Sequence, residues 1–138
     1  MPDRSHIGRR YEAPGQVIDP ERARQFAAAI SGADTDPFPG QVPPTYAAVY
    51  CVGPSFAQLF GDEEVGVNLA GLIHGEQSFE WPAPVREGDV VDSSAEIIDV
   101  EDKRGMTFLT LAVEAKRPAD SQVVCRGRAL MIIRGAPQ

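Results

Sequence analysis

The chain has 138 residues, 43% of them hydrophobic and 24% charged, and its formal net charge is −7. This length predicts a single domain, residues 1–138, with a core large enough to fold without disulfides or metals. The acidic balance argues against nucleic acid or an anionic membrane as a partner, since both require basic patches. No apolar run reaches the roughly 18 to 20 residues that span a bilayer. Residues 1–10 are polar and do not resemble a signal peptide, so a cytoplasmic protein is predicted.

The cysteines and histidines are too few and too scattered for a metal site. Cys51 and Cys125 each lie in a largely apolar segment, where free cysteine behaves as a small hydrophobe. Without a secretion signal, both are predicted to be reduced and structural. His6 and His74 are the two histidines, and no spacing among these four residues fits a His/Cys site. We therefore expect neither a metal nor another cofactor.

The first part of the chain predicts a strand, a helix and a loop. Residues 8–18 predict a short strand. Asp19 suits a helix N-cap and Pro20 the first helical position, so a helix is expected over residues 20–30. Residues 33–42 are rich in Asp, Pro and Gly, which indicates a loop.

A second helix is predicted over residues 45–60. Its first half, residues 46–52, is apolar on every side, which is typical of a buried helix. The Gly53-Pro54 pair inside it predicts a kink, because proline lacks the N–H that the helical hydrogen-bond ladder needs.

From residue 72 onward the hydrophobic pattern changes to period two, which is typical of β-strands. The predicted strands are residues 73–81, 90–100, 106–115 and 123–133. Turn residues at 102–105 and 118–121 predict hairpins between the last three strands.

Helices that precede a run of strands indicate the α+β class. A helix that is apolar all round requires cover, and a long antiparallel sheet curled around it provides that cover. A long central helix wrapped by a curved antiparallel sheet is the hotdog fold. Because one curved sheet leaves part of the helix and an edge strand uncovered, at least a dimer is expected.

Five stretches of the chain resemble the MaoC-like dehydratases, in particular the N-terminal type of MaoC domain and the small subunits of (3R)-hydroxyacyl-ACP dehydratases. They are residues 26–30, 34–37, 42–46, 72–79 and 84–89. The resemblance implies reversible addition of water across the double bond of a 2-enoyl thioester of CoA or ACP. Catalytic members hold and activate the water with an Asp-x-Asn-Pro-x-His loop. N–H groups at the start of the central helix stabilise the enolate-like thioester oxygen.

The sequence differs from that motif at the histidine, the residue that takes up the proton. Laid on the motif, Asp34 takes the aspartate position, Asp36 the asparagine position and Pro37 the proline position. The histidine position falls on Pro39, which has no side-chain base. Asp34 has an alternative role as an Asx-turn residue of the loop. The missing histidine argues against ordinary hydratase chemistry by this chain alone.

Asp34 and His74 are the candidate catalytic residues that the resemblance leaves. Period two places His74 on the same strand face as Glu76, which could orient it, and the alternative is a half-exposed histidine on a polar face. The candidate substrate-binding residues are Pro44, Thr45, Gly75 and Gln77.

Each of these residues has a structural alternative. Thr45 would touch the thioester through its backbone N–H, or it caps the central helix. Gln77 is predicted on the face of Ile73, Phe79 and Trp81, where its amide would bond the helix or line a pocket. Trp81 is interpreted as a core or dimer-interface residue.

Four functions remain open from the sequence. The first is a subunit that lines an acyl tunnel and pairs with a catalytic MaoC partner. The others are a self-sufficient hydratase that uses Asp34 and His74, a hotdog acyl-CoA thioesterase, and an acyl-thioester binding module. The partners expected are an acyl-CoA or acyl-ACP thioester and a second hotdog subunit, as a homodimer or a heterodimer. In an acidic chain, local arginines such as Arg86 or Arg126 would have to bind the polyanionic CoA tail.

Overall fold

The computed structural model describes residues 1–32 and 38–135, which form five long strands and two α-helices. In chain order these are β1 (Arg10–Val17), α1 (Pro20–Ser31), α2 (Gly53–Phe60), β2 (Leu72–Glu80), β3 (Val90–Lys103), β4 (Met106–Arg117) and β5 (Gln122–Arg134). The predicted first helix and all five predicted strands are present, and their ends differ from the predicted ones by up to three residues. The described part of the chain has no helix long and apolar enough to cross a membrane.

The strands form one antiparallel sheet in the order β1-β3-β4-β5-β2. The prediction of an antiparallel sheet is confirmed, and the four C-terminal strands are joined by β1, which pairs with β3. Between β3 and β4, Arg104 and Gly105 have φ of 53° and 76°. Two consecutive positive φ values define the tight hairpin turn that matches the twist of the strands. In this strand order, β1 and β2 are the two edge strands.

The inner face of the sheet carries the hydrophobic core. Its alternate residues on β3, β4 and β5 are almost fully buried, among them Ile97, Leu109, Leu111, Met131 and Ile133. Burying each such side chain contributes about 1.5–3 kcal/mol relative to leaving it in water. Leu59 and Cys51 pack into the same cluster from the helical side. The period-two pattern of the sequence therefore marks the face that wraps the helix.

The central helix, residues 44–60, is not one regular α-helix. It starts with a 3₁₀ turn at Pro44–Tyr46, continues as a π-helical segment at Ala48–Val52 and ends as α2. The predicted kink is realised as this change of form, because Pro54 has no N–H to donate and its ring crowds the carbonyl four residues earlier. The Gly53 N–H instead donates to the Ala48 carbonyl, five residues back.

One face of the central helix stays open to solvent. Tyr50, Cys51 and Leu59 face the sheet and are buried, whereas Ala48 is exposed and Val49 is 41% exposed. The helix is thus apolar all round in sequence but covered on one side in this chain. This is the arrangement for which a second chain is expected to complete the burial.

Helix α1 begins and ends as its sequence predicts. The Asp19 carboxylate accepts a hydrogen bond from the Glu21 N–H at 3.0 Å, and Gly32 closes the helix with a φ of 69°. The Phe26 ring of α1 packs edge-on against Tyr46, with ring centroids 5.3 Å apart. This contact fixes α1 against the start of the central helix.

Candidate functional site

Residues 38–41 form a tight turn at the point where the sequence analysis predicts the histidine position of the MaoC-like loop. Asp34, Asp36 and Pro37 lie outside the described residues. In the turn that follows, the Gln41 N–H donates to the Phe38 carbonyl at 2.8 Å. Pro39 and Gly40, with a φ of 73° at the glycine, take the two central positions. Proline followed by a residue with positive φ is the pattern of a type II turn. Pro39 therefore shapes the backbone here and supplies no base.

The start of the central helix offers few backbone donors. Pro43 is buried and Pro44 exposed, and neither has an N–H. The Tyr46 N–H already donates to the Pro43 carbonyl at 3.0 Å. Thr45 is exposed and supplies the first N–H of the helix. Pro43 takes the cap position without a side-chain hydrogen bond, so Thr45 lies within the first turn instead of capping it.

A cavity of about 620 Å³ opens beside this helix start, and we call it the Trp81 pocket. It is lined by Gly40, Gln41, Val42, Pro43, Pro44, Tyr50, Trp81, Ala83, Pro84, Val85 and Arg86. Exposure falls from its rim to its floor: Trp81 is 44% exposed, whereas Tyr50 is 4% exposed. Of the predicted substrate-binding residues, Pro44 lines this pocket. Trp81, interpreted from sequence as core or interface, forms part of the wall.

The Trp81 pocket has apolar walls and one basic side chain. Arg86 lines it, and its guanidinium forms no ion pair with another described residue. Its backbone N–H is held by the Asp89 carboxylate at 3.0 Å, which fixes the chain at the rim. Arg126, the other arginine considered from sequence, lies near a different cavity of about 500 Å³ and 3.9 Å from Glu80. Of these two arginines, Arg86 alone lines the apolar pocket.

A β-bulge in β2 decides where His74 points. His74 pairs with Met131, but the next pair is Glu76 with Leu130, so Gly75 is the extra residue. The bulge reverses the alternation that period two predicts. His74 consequently faces the central helix, with its ring 6.1 Å from that of Phe56. The predicted shared face of His74 and Glu76 is wrong for this reason, and so is that of Ile73 and Gln77.

The bulge brings together two of the candidate residues. The His74 Nε2 lies 3.1 Å from the Gln77 Oε1, and the Gln77 amide N–H donates to the Ser78 carbonyl at 3.0 Å. Gly75 leaves room for a neighbouring side chain at the bulge, since a Cβ there would lie 3.0 Å from the Ile132 Cδ1 and would displace it. Gln77 thus has its partners on its own strand, β2, instead of the predicted bond to the central helix, and His74 is held by Gln77.

His74 and the Trp81 pocket lie at opposite ends of β2. Seven residues separate His74 from Trp81, which corresponds to about 23 Å along an extended strand. His74 does not line the pocket, and Phe56, its ring neighbour, belongs to α2 and not to the helix start. The structure therefore brings Pro44 to the pocket and leaves His74, Gly75 and Gln77 away from it.

Buried titratable groups near the pocket are held in their neutral forms. Burial raises the pKa of the Tyr50 phenol, and the neighbouring thiols raise it further. A hydrogen bond with Cys125 and then burial raise the pKa of the Cys51 thiol. Cys51 and Cys125 are buried free cysteines. A thiol that stays protonated is a poor nucleophile, which supports the structural role predicted for Cys51.

Comparison with known proteins gives the family. The sequence profile of the FAS1-like dehydratase domain region matches residues 5–126. The chain belongs to this dehydratase family. Among its family relatives, a UPF0336 protein of Cutibacterium acnes is 33% identical over 73% of this chain and 72% of its own length. A UPF0336 protein of Saccharopolyspora erythraea is 28% identical over 99% of this chain and 94% of its own length.

Solved structures show that this FAS1-like dehydratase chain has the hotdog fold of the MaoC-like dehydratases. A C-terminally truncated HadBC (3R-hydroxyacyl-ACP dehydratase) complex of Mycobacterium tuberculosis matches with a TM-score of 0.72 and 19% identity, covering 92% of this chain and 96% of that chain. The (R)-hydratase of A. caviae involved in PHA biosynthesis matches with a TM-score of 0.57 and 22% identity, covering 91% of this chain and 94% of that chain. The predicted family and fold class are thereby confirmed.

The sequence analysis missed Tyr50 and Val85 as pocket residues. Tyr50 lines the Trp81 pocket, and the signal that could have found it was its place in the apolar first half of the central helix. Val85 follows β2 in the sequence, as does Arg86, and the folded sheet brings both to the pocket.

Proposed function

We propose that this chain is an acyl-thioester-binding subunit of a (3R)-hydroxyacyl-thioester dehydratase. It lines the acyl site and relies on a second hotdog subunit for the Asp/His loop. The observation that carries the proposal is the Trp81 pocket, an apolar cavity beside the start of the central helix, next to a turn that replaces the catalytic histidine with Pro39. We further infer that residues 1–138 form one domain and that the protein works in the cytoplasm.

In this proposal the acyl chain binds at the floor of the Trp81 pocket, and the CoA or ACP carrier binds at its rim. The acyl chain would lie against Val42, Pro43 and Tyr50, and the thioester carbonyl near the Thr45 N–H, the first donor of the helix. The carrier would leave the pocket past Arg86, whose charge suits the phosphates of CoA or of a phosphopantetheine arm. This chain would hold the substrate, and the partner would supply the water-activating pair.

The alternatives have less support in this structure. A hydratase built on Asp34 and His74 needs both groups at one thioester, yet His74 lies about 23 Å along β2 from the end that carries the pocket. A thioesterase requires an acidic residue near the helix, and none of the described residues that line the Trp81 pocket is acidic. A plain binding module would share the pocket and would differ in having no catalytic partner.

Arg86 gives the first test of the proposal. The Arg86→Gln variant is expected to bind octanoyl-CoA up to about fivefold more weakly, since an exposed ion pair contributes about 0.2–1 kcal/mol. The deficit should shrink as salt is raised, because salt screens exposed charges. Isothermal titration at low and high salt measures both effects. Arg126→Gln removes the same charge from another surface and is the matched control, for which unchanged affinity is expected. Equal losses in the two variants would contradict a carrier site at Arg86.

The edge strand β2 gives the second test, which concerns assembly. None of its nine residues is buried, and Ile73 is 45% exposed, so β2 presents an open edge that another chain can extend. We expect the isolated chain to form at least a dimer, with a mass of twice 14.9 kDa or more by light scattering. A mass near 14.9 kDa across a wide concentration range would contradict the assembly.

A pair of lysine substitutions identifies the edge involved. Ile73→Lys places a charge on β2 and is expected to shift the mass toward the monomer, whereas Val17→Lys places one on the other edge strand and should not. Val17 is 62% exposed and so tolerates the substitution equally well. If Val17→Lys alone lowered the mass, the interface would belong to β1 and this assignment would be wrong.

A further inference from the structure

The floor of the Trp81 pocket is also the wall of a second cavity. This second cavity, of about 520 Å³, is called the Val49 pocket here. Among the described residues, Tyr50 is the one that lines both cavities. Tyr50 is therefore the point at which the two cavities adjoin.

Tyr50 is held firmly in that position. It is 4% exposed and belongs to the π-helical segment, whose backbone is fixed by the proline that follows. Its ring lies 6.1 Å from that of Tyr46, which in turn packs against Phe26 of α1. On the other side Tyr50 shares the lining of the Trp81 pocket with Trp81. A buried ring packed in this way acts as a rigid partition.

The Val49 pocket is a surface groove of mixed lining that offers apolar contacts on one side. Val49, Val17 and Pro54 contribute apolar surface, and Val49 and Val17 are 41% and 62% exposed. Its polar residues, Asp19 and Arg22 among them, come from the start of α1 and the segment before it. An acyl chain that passed Tyr50 would find apolar contacts there.

We propose that Tyr50 ends the acyl site and sets the longest acyl chain that this subunit accommodates. The inference rests on the proposed function, because it takes the Trp81 pocket as the acyl site. Each further methylene that becomes buried raises affinity about fourfold. Affinity should therefore climb with chain length until the terminal methyl group meets the Tyr50 ring, and then level off.

The test is a titration of the full-length chain with saturated acyl-CoAs of increasing length, from butyryl- through octanoyl- and dodecanoyl- to hexadecanoyl-CoA. Tyr50→Leu keeps an apolar side chain but removes the partition. We expect its affinity to continue rising beyond the length at which the unaltered protein levels off. Two further buried methylenes would give a gain of about fifteenfold at the longer length. Tyr50→Phe keeps the ring and is the matched control, which should level off at the original length.

A second substitution distinguishes an opening between the two pockets at position 50 from a general loosening of the core. Val49→Trp in the Tyr50→Leu background fills the Val49 pocket and should restore the original limit. If Tyr50→Leu does not fold, as judged by thermal unfolding, Tyr50→Met serves in its place, since a flexible side chain can yield to the ligand. A limit that stays the same in the folded Leu or Met variant would overturn the inference while leaving the proposed function intact. Absence of binding at every length in the unaltered protein would overturn both.

Discussion

The isolated chain is expected to hydrate crotonyl-CoA about 10² to 10⁴-fold more slowly than a hotdog dehydratase with an intact Asp-x-Asn-Pro-x-His loop. Addition of water to an enoyl thioester needs a base on the water and a proton donor at the α-carbon. The resemblance to the MaoC-like loop predicts that Pro39 takes the histidine position, and Pro39 lies in a tight turn that begins at the Phe38 carbonyl. It has no group that could take the proton.

Adding a partner restores the missing function in this scheme. A second hotdog subunit with the intact loop is expected to raise the hydration rate of the mixture above the sum of the two separate rates. The measurement is the loss of enoyl-thioester absorbance for each chain alone and for the mixture. Replacing the loop histidine of that partner should abolish the gain. This chain has proline and no base at position 39, so the control substitution is made in the partner.

Two variants of this chain decide between the subunit and the self-sufficient enzyme. His74→Ala and Asp34→Asn should leave the weak activity of the isolated chain nearly unchanged. His74 is bonded to Gln77 on β2 and faces Phe56, away from the Trp81 pocket. Robust turnover by the single chain that both substitutions abolish would instead establish a rearranged Asp34/His74 site, and the subunit proposal would be wrong.

Gly127→Ala is expected to destabilise the fold by about 3 kcal/mol or more, at the upper end of overpacking effects. Gly127 lies on β5 opposite Phe79 of the edge strand β2. A Cβ at this position would fall 1.9 Å from the Ser78 carbonyl oxygen and 2.9 Å from its carbon. Both atoms belong to the backbone, so the clash cannot be relieved by turning a side chain. β2 would have to move away from β5.

Urea unfolding measures this effect directly. Gly61→Ala is the matched control, because a Cβ there would meet its nearest neighbour, the Ala57 carbonyl oxygen, at an ordinary 3.5 Å. Its stability should change by less than about 1 kcal/mol. Since β2 is the expected dimer edge, Gly127→Ala should also lower the mass seen by light scattering. Equal unfolding midpoints in the two variants would show that β2 is not held against β5 as described.

The local part of the fold could be predicted because it depends on neighbouring residues. Asp19 and Pro20 start α1, and the residues before Gly105 form a hairpin turn, as their sequence predicts. Such signals work because capping and turn geometry are set within a few residues. The switch from an apolar helix to period-two strands likewise fixed the α+β class, since each period buries one kind of face.

The candidate site could be predicted only in part. Pro44 lines the pocket as a substrate-binding candidate should, and Asp34 lies outside the described residues. Arg86 was considered for the carrier and lines the pocket. His74 was assigned to the wrong strand face, because the bulge at Gly75 arises from pairing with a strand more than 50 residues later in the chain. Period-two analysis assumes unbroken register and cannot detect such a shift.

The sequence by itself determined the family and the order of elements, because these are properties of residue identity and spacing along the chain. Only the tertiary structure decided the π-helical form around Tyr50, the direction of His74 and the walls of the Trp81 pocket. These features depend on contacts between segments far apart in sequence, whose geometry is set by strand register and by packing against the central helix.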